Sequence, residues 1–279
     1  MRDELKNKIL TELLNNKNIL LTGSFGIGKT TLAKEVLAEF SQKDPKKLLL
    51  YHPFPKPQKQ IFYRIFELFT SKGFNIPVNW KALSMYSLCE LIIKILEKED
   101  RTLFLFLDEA QLITDISIQL YSYLLNSGKV HFVLIGDWPA IQKKVLSANY
   151  ALFFWKFEQI KVEPLNNQEA KELLENYLKV QQKILDESTK AKILSWASGN
   201  PMEILRATDR ALVGEEPNLN LSLNSINLFP LFIFAIFVLI GLKYLYRGIG
   251  DYALANFSGF VGIVLFFIIR YLWYNWKNF

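Results

Sequence analysis

The chain has little cysteine and little net charge. Cys89 is the single cysteine among 279 residues, which excludes an internal disulfide framework and indicates a reducing compartment. The formal net charge is +6, and half of it comes from the four basic residues and one acidic residue after residue 216. The first 216 residues therefore carry only a small positive excess, which does not by itself indicate a nucleic-acid-binding surface.

Charge is almost absent from the C-terminal sequence. Residues 225–242 and 252–269 are two uncharged runs of 18 residues each, close to the roughly 20 apolar residues that cross a bilayer as a helix. Aromatic residues cluster after each run, as they do at membrane interfaces. We predict a linker at residues 214–225 and a transmembrane helical hairpin at residues 226–279. The alternative is a buried hydrophobic hairpin that packs on the rest of the chain or on a partner.

Before residue 165, short apolar runs alternate with helical patterns. This alternation predicts a doubly wound α/β sheet, with strand candidates at residues 18–23, 47–54, 101–107, 129–136 and 157–165. After residue 165 the pattern becomes purely helical, with candidates at residues 167–181, 187–197 and 201–213. We therefore predict an α/β domain at residues 1–165 and a small helical domain at residues 166–213.

The motif GSFGIGKT lies between the first strand candidate and the next helix. It matches G-x-x-x-x-G-K-[ST], the loop whose backbone N–H groups surround phosphate oxygens. In this chemistry Lys29 reaches the outer phosphates and the Thr30 hydroxyl holds Mg²⁺. The predicted cofactors are ATP and Mg²⁺, and the predicted contacts are Gly23, Ser24, Phe25, Gly26, Ile27, Gly28, Lys29, Thr30 and Thr31.

Acidic residues end two of the buried strand candidates. Asp108 and Glu109 follow the run LFLFL, and we predict that Asp108 holds Mg²⁺ while Glu109 polarises the attacking water. Asp137 ends the run VHFVLIG. It either contacts the γ-phosphate or the water, or simply begins the next turn. The predicted catalytic residues of this ATPase are thus Glu109, Lys29 and Asp137.

The segments GSFGIGKT, LFLFLDEAQ and FVLIGD, followed by a helical bundle, resemble the AAA+/STAND superfamily of P-loop ATPases. The similarity is to archaeal-type ATPases and to the group that contains the secretion and transposition ATPases. It covers residues 1–213, because residues 163–178 and 195–212 are similar to the helical lid of that group. The resemblance implies a parallel five-stranded sheet of order 5-1-4-3-2, with adenine between sheet domain and lid. It also places the turn Gly199-Asn200-Pro201 near the nucleotide, so Pro201 is a candidate contact.

Two arginines that are common in such ATPases are not evident. Met202 stands where relatives often carry an arginine, with Arg206 one turn further on, and residues 102–205 contain no arginine. A missing arginine finger lowers the hydrolysis rate roughly 10³–10⁵-fold. The chain is therefore expected to be a membrane-anchored AAA+-like ATPase that drives conformational change in a membrane-associated assembly. A slow or non-hydrolysing ATP switch that recruits a partner is the alternative, and a DNA-dependent ATPase of the transposition type is a further one.

The expected location is the cell membrane, with two spans and a cytoplasmic ATPase domain, because that domain must meet ATP. Arg270 and Lys277 agree with a cytoplasmic C-terminus, whereas Lys243 and Arg247 in the outer turn oppose it. The expected partner is a further copy of the chain or a partner membrane protein, and the resemblance implies rings or partner-triggered assemblies. Nucleic acid is a possible partner but not a favoured one.

Overall fold

The computed structural model describes residues 2–214, 238, 242–250, 252, 254 and 256. The chain divides into two compact units, Met1–Pro217 and Asn218–Phe279. The first unit contains five strands, which are β1 Ile19–Thr22, β2 Lys47–His52, β3 Thr102–Leu107, β4 Val130–Gly136 and β5 Glu158–Lys161. Its helices are α1 Arg2–Leu14, α2 Lys29–Lys43, α3 Gln58–Ser71, α4 Met85–Lys98, α5 Asp115–Asn126, α6 Trp138–Val145, α7 Ala148–Phe154, α8 Asn167–Gln181, α9 Glu187–Ala197 and α10 Pro201–Leu212.

The strands form one parallel sheet in the order β2-β3-β4-β1-β5. This is the predicted order 5-1-4-3-2 viewed from the other edge, so that prediction is confirmed. Because the strands are parallel, the loops that follow them emerge at a common carboxyl edge. In the sheet β4 separates β1 from β3, which brings the residues after these three strands side by side.

Helices cover both faces of the sheet, as a doubly wound fold requires. The side chains of Leu21, Phe104 and Phe106 join a core with α1 and α2 on one face. Leu103 and Leu105 point to the opposite face, where they pack with α3, α4 and α5. The central strands are buried along nearly their whole length, which explains their continuous apolar sequence.

A separate apolar cluster holds α8, α9 and α10 together as a helical lid. Asn166 begins α8 with a reciprocal capping box formed with Glu169. Asn200 caps α10, where Pro201 occupies the first turn. Gly199 has a φ of 77°, and an added Cβ would lie 2.3 Å from the Leu165 carbonyl oxygen. Only glycine therefore fits the turn that joins α9 to α10.

The last strand is shorter than its sequence pattern predicts. The strand predicted at 157–165 ends at Lys161, because Pro164 lacks the N–H that a ladder needs. The segment between β4 and β5 forms two short helices, α6 and α7.

The predicted linker at 214–225 and hairpin at 226–279 fall largely outside the described residues. Among the residues of this region that the structure describes, 242–249 form a helical stretch. Across the described part of the chain, no helix has both the length and the apolar character needed to cross a membrane.

Candidate active site

A cavity of about 350 Å³ lies at the carboxyl edge of the sheet, beside the ends of β1, β3 and β4. This edge is where parallel α/β sheets usually bind ligands. The volume lies at the small end of the range for ligand pockets. Its lining residues are Phe25, Gly26, Gly28, Lys29, Thr30, Thr31, Asp108, Glu109, Gln111, Gly136, Asp137, Pro201, Met202 and Leu205.

The glycine-rich loop connects β1 to α2 and forms one wall of this cavity. Gly26 has a φ of 77°, and a Cβ there would lie 2.7 Å from the Cβ of Met202, so a larger residue would collide with the lid. Lys29 Nζ donates to the carbonyl oxygens of Gly23 and Ser24, each at 2.9 Å. The ammonium group is thus held across the loop at the start of α2.

The charges of three carboxylates act on the Lys29 ammonium. Burial lowers the pKa of Lys29, and the charges of Asp137, Asp108 and Glu109 partly oppose that shift. One cation among three acids leaves a negative balance that a bound Mg²⁺ would offset.

Thr30 and Asp108 have the chemistry of a magnesium site. Thr30 Oγ1 donates to Asp108 Oδ2 at 2.6 Å, and Asp108 is only 7% exposed. Mg²⁺ prefers oxygen ligands and is commonly held by one or two protein groups together with substrate phosphates. The described residues contain no cluster of three or more His, Cys, Asp or Glu side chains suited to a metal. These residues therefore fit a Mg²⁺ ion that arrives with a nucleotide better than a metal held by protein alone.

Asp108 accepts two further hydrogen bonds. Tyr51, from the neighbouring strand β2, donates its hydroxyl to Asp108 Oδ2 at 3.1 Å. The backbone N–H of Glu109 donates to Asp108 Oδ1 at 2.9 Å. Burial, followed by the charge of Asp108, raises the pKa of Tyr51, so its hydroxyl stays protonated and able to donate.

Glu109 sits in the left-handed backbone region, with φ 54° and ψ 44°. Such a conformation is uncommon for a residue with a side chain and is found disproportionately at functional sites. The side-chain amide of Gln111 donates to Glu109 Oε2, and Gln111 Oε1 accepts from the Asp137 backbone N–H at 3.1 Å. Gln111 therefore connects the ends of β3 and β4 across the cavity.

Asp137 both lines the cavity and begins a helix. It is the residue preceding α6, and its side chain makes no capping hydrogen bond to that helix. Because β4 lies between β1 and β3, Asp137 follows the strand that separates the loop from Glu109. Asp137 therefore begins the turn into α6 and lines the cavity, and its contact with phosphate or water stays a prediction.

The lid closes the cavity over the glycine-rich loop. Asn200 Nδ2 donates to the Phe25 carbonyl oxygen at 2.9 Å, and the Met202 N–H donates to the Gly26 carbonyl oxygen at 3.3 Å. Pro201 is among the lining residues, together with Met202 and Leu205, and its contact with a nucleotide stays a prediction. Arg206 is not a lining residue and lies 3.7 Å from Glu203 in an ion pair.

Three residues of the loop contribute without lining the cavity. Gly23 and Ser24 supply the carbonyl oxygens that hold Lys29, and Ile27 is buried in the core beside α2. The Ile27 carbonyl oxygen accepts from Arg2 Nη2 at 2.6 Å. Arg2 also lies beside the lid, since its backbone N–H donates to Glu169 Oε1 at 3.4 Å.

Sequence patterns did not single out Tyr51, Gln111 or Arg2 as parts of the site. Gln111 had a weak signal, because it is the polar residue of the short helical turn Ala110–Leu112, directly after the two acids. Tyr51 and Arg2 had none, since each lies in an ordinary strand or helix pattern far from the motifs.

A comparison with known protein families identifies what the α/β part of the chain is similar to. Residues 13–145 match the family model described as an AAA domain. That segment contains the loop, the Thr30–Asp108 pair, Glu109 and Asp137. This part of the chain is therefore similar to an AAA domain.

Solved structures share this fold at low sequence identity. A Walker-type ATPase of Pyrococcus abyssi aligns with 88% of this chain and 75% of its own, at 17% identity and a TM-score of 0.57. The ORC2 protein of Aeropyrum pernix, in ADPNP–ADP complexes, aligns with 90% of this chain and 74% of its own, at 18% identity and a TM-score of 0.55. The ORC1 protein of the same organism, in complex with DNA, covers 88% and 70% at 16% identity and a TM-score of 0.55. No curated protein matches the chain.

Proposed function

We propose that the chain is a Mg²⁺-dependent ATPase whose nucleotide state changes the position of the lid. The observation that carries this proposal is the meeting of three elements in one cavity. These are the glycine-rich loop with Lys29, the Thr30–Asp108 pair and Glu109. Phosphoryl transfer asks an enzyme mainly for positioning and charge neutralisation, and these groups supply both.

Each group has a distinct role in binding. The N–H groups of the loop and the start of α2 favour phosphate oxygens, and Lys29 adds a positive charge for the outer phosphates. Thr30 and Asp108 would hold Mg²⁺, which neutralises charge on the phosphate oxygens when bound. Met202 and Leu205 of the lid, with Phe25 of the loop, provide apolar surface at the cavity wall for the rest of the nucleotide.

In the proposed hydrolysis of ATP, one side chain accepts a proton from the attacking water. A water oxygen bonds to the γ-phosphorus while the bond from that phosphorus to the bridging oxygen breaks, and ADP leaves. A carboxylate oxygen of Glu109 accepts the proton that the water loses, and Gln111 holds that carboxylate in place. Asp137, which also lines the cavity, would contact the water or the γ-phosphate.

Contacts between lid and loop would couple the nucleotide to a conformational change. Asn200 and Met202 bond directly to loop carbonyls, so a phosphate that reshapes the loop acts on the first turn of α10. The lid would transmit that change to a further copy of the chain or to a partner membrane protein.

Membrane anchoring is the second half of the proposal. Its support is the composition of residues 226–279, with two uncharged runs flanked by aromatic residues. We propose a multi-pass protein of the cell membrane with the ATPase domain in the cytoplasm. The full chain should then stay in the membrane pellet after alkaline carbonate extraction, because two inserted spans bind far more strongly than a surface contact. Release into the supernatant would contradict the anchor.

A switch that binds ATP without turnover is the second candidate. Residues 102–205 contain no arginine, and Arg206 pairs with Glu203 outside the cavity lining. Tight nucleotide retention with negligible turnover would favour this candidate over the ATPase. Hydrolysis that rises with added DNA, and falls again with salt, would instead favour a DNA-dependent enzyme.

Substitution of Lys29 tests the nucleotide site directly. Lys29→Ala should weaken ATP binding at least about 10-fold, because a charge that faces the phosphates is lost, while the fold persists. Lys43→Ala is the matched control, since Lys43 ends the same helix and pairs with Glu39 at the surface. Equal ATP affinity in the two variants would refute the assignment of the loop.

A further inference from the structure

We propose that Tyr51 is a positioning residue for the magnesium site, whose hydroxyl fixes the orientation of the Asp108 carboxylate for Mg²⁺ binding. The proposal rests on the function proposed above and assigns a new residue to it.

The pairing of β2 with β3 places Tyr51 next to Asp108. Strand β2 pairs with β3 so that His52 faces Leu107, and the Asp108 N–H continues the ladder by donating to the His52 carbonyl oxygen at 3.0 Å. Tyr51 packs against the core on the α2 side of the sheet. Lys34, one turn along α2 from Thr30, places its Nζ 5.1 Å from the centre of the Tyr51 ring. The Tyr51 ring, which extends from β2, therefore lies against α2, the helix that carries Thr30.

Asp108 is held from three directions. Its Oδ2 accepts from both Thr30 and Tyr51, and its Oδ1 accepts from the N–H of Glu109. The terminal torsion of an aspartate is broad, so the carboxylate plane needs such partners to stay in one orientation. Thr30 is itself expected to turn its hydroxyl oxygen toward Mg²⁺. Tyr51 is then the side-chain donor that keeps the Asp108 carboxylate in one orientation while the Thr30 hydroxyl oxygen binds Mg²⁺.

Loss of the Tyr51 hydroxyl should weaken the binding of Mg²⁺. Removing a group that orients a metal ligand typically lowers metal affinity about 10–100-fold. Tyr51→Phe removes the hydroxyl and keeps the ring, so the packing against α2 is preserved. The defect should therefore appear in the dependence on Mg²⁺ and not in the binding of metal-free nucleotide.

The test is ATP binding by the full detergent-solubilised chain, titrated with Mg²⁺ and repeated in EDTA. Tyr51→Phe should raise the Mg²⁺ concentration for half-maximal binding about 10-fold or more, with unchanged affinity in EDTA. Tyr121→Phe is the matched control, because it removes another buried hydroxyl, bonded to the Pro55 carbonyl oxygen at 2.6 Å, without touching Asp108.

Two results would overturn the proposal while the nucleotide site stands. One is a Mg²⁺ concentration for half-maximal ATP binding that rises no more in Tyr51→Phe than in Tyr121→Phe. The other is an equal loss of affinity with Mg²⁺ and in EDTA, which would make Tyr51 a purely structural residue. A wild-type chain that binds no ATP at any Mg²⁺ concentration would instead refute the proposed function, and this inference with it.

Discussion

Thr30 Oγ1 and Asp108 Oδ2 lie 2.6 Å apart although 78 positions separate the two residues in sequence. Thr30 stands at the start of α2, and Asp108 follows β3, which is not adjacent to β1 in the sheet. The parallel arrangement with β4 between them creates a gap at the carboxyl edge, and these two side chains meet across it. The pair links the phosphate loop to the acids that end β3.

Gln111 should matter for turnover more than for binding. Gln111→Met keeps a side chain of similar length but removes the amide that holds Glu109 and accepts from the Asp137 N–H. We expect ATP affinity near that of the wild type and a kcat lower by about 10-fold or more, since a general base acts only when it is positioned. Steady-state hydrolysis and equilibrium binding measure the two quantities separately.

Gln119→Met is the matched control for this prediction, because Gln119 lies on the exposed side of α5 and contacts Tyr86 instead of the cavity. If the two variants had the same kcat, Gln111 would have no role in positioning Glu109.

The first unit should fold without the second. A fragment ending at Pro217 keeps every residue that lines the cavity and all three apolar clusters. We expect it to be monodisperse, to unfold cooperatively on heating and to bind ATP like the full chain. Size-exclusion chromatography, circular dichroism and binding measurements check these points. Aggregation of this fragment would show that the C-terminal residues belong to its core.

A shorter fragment ending at Leu165 serves as the comparison. It lacks the lid, including the contacts of Asn200 and Met202 with the loop, and should bind ATP more weakly than the Pro217 fragment.

His131 should make stability depend on pH. Burial, aided by the charge of Lys47, lowers the pKa of His131 to about 4 from an ordinary 6.5. Between these values the unfolded chain binds more protons at this residue, so stability is lost as the pH falls through that window. The expected loss from about pH 7 to about pH 5 is roughly 2 kcal/mol. Denaturant unfolding of the Pro217 fragment at both pH values measures it.

His131→Gln isolates that contribution from the titration of carboxylates. The variant should lose less unfolding free energy over the same interval than the wild type. An identical loss in both proteins would mean that His131 is not held neutral by its stack on Phe104 and its buried position.

Local motifs and apolar periodicity were enough to predict the loop, the alternation of strands and helices and the acids at the strand ends, whereas the order of the strands came from the family resemblance. Each of those features depends on residues that are close in sequence or on a rule of parallel sheets. The contacts of Tyr51 and Gln111 depend on how distant elements pack, and Tyr51 stands in a strand whose pattern indicates only a core residue.

Glu109→Gln tests the central claim most directly. ATP hydrolysis and ATP binding should be measured with Mg²⁺ on the full detergent-solubilised chain, as wild type and as this variant. We expect measurable turnover by the wild type, a loss of about 100-fold or more in the variant, and similar ATP binding by both. Turnover that survives the substitution unchanged would contradict the role of Glu109 as the proton acceptor, and a wild-type chain that binds ATP without hydrolysing it would contradict the ATPase itself.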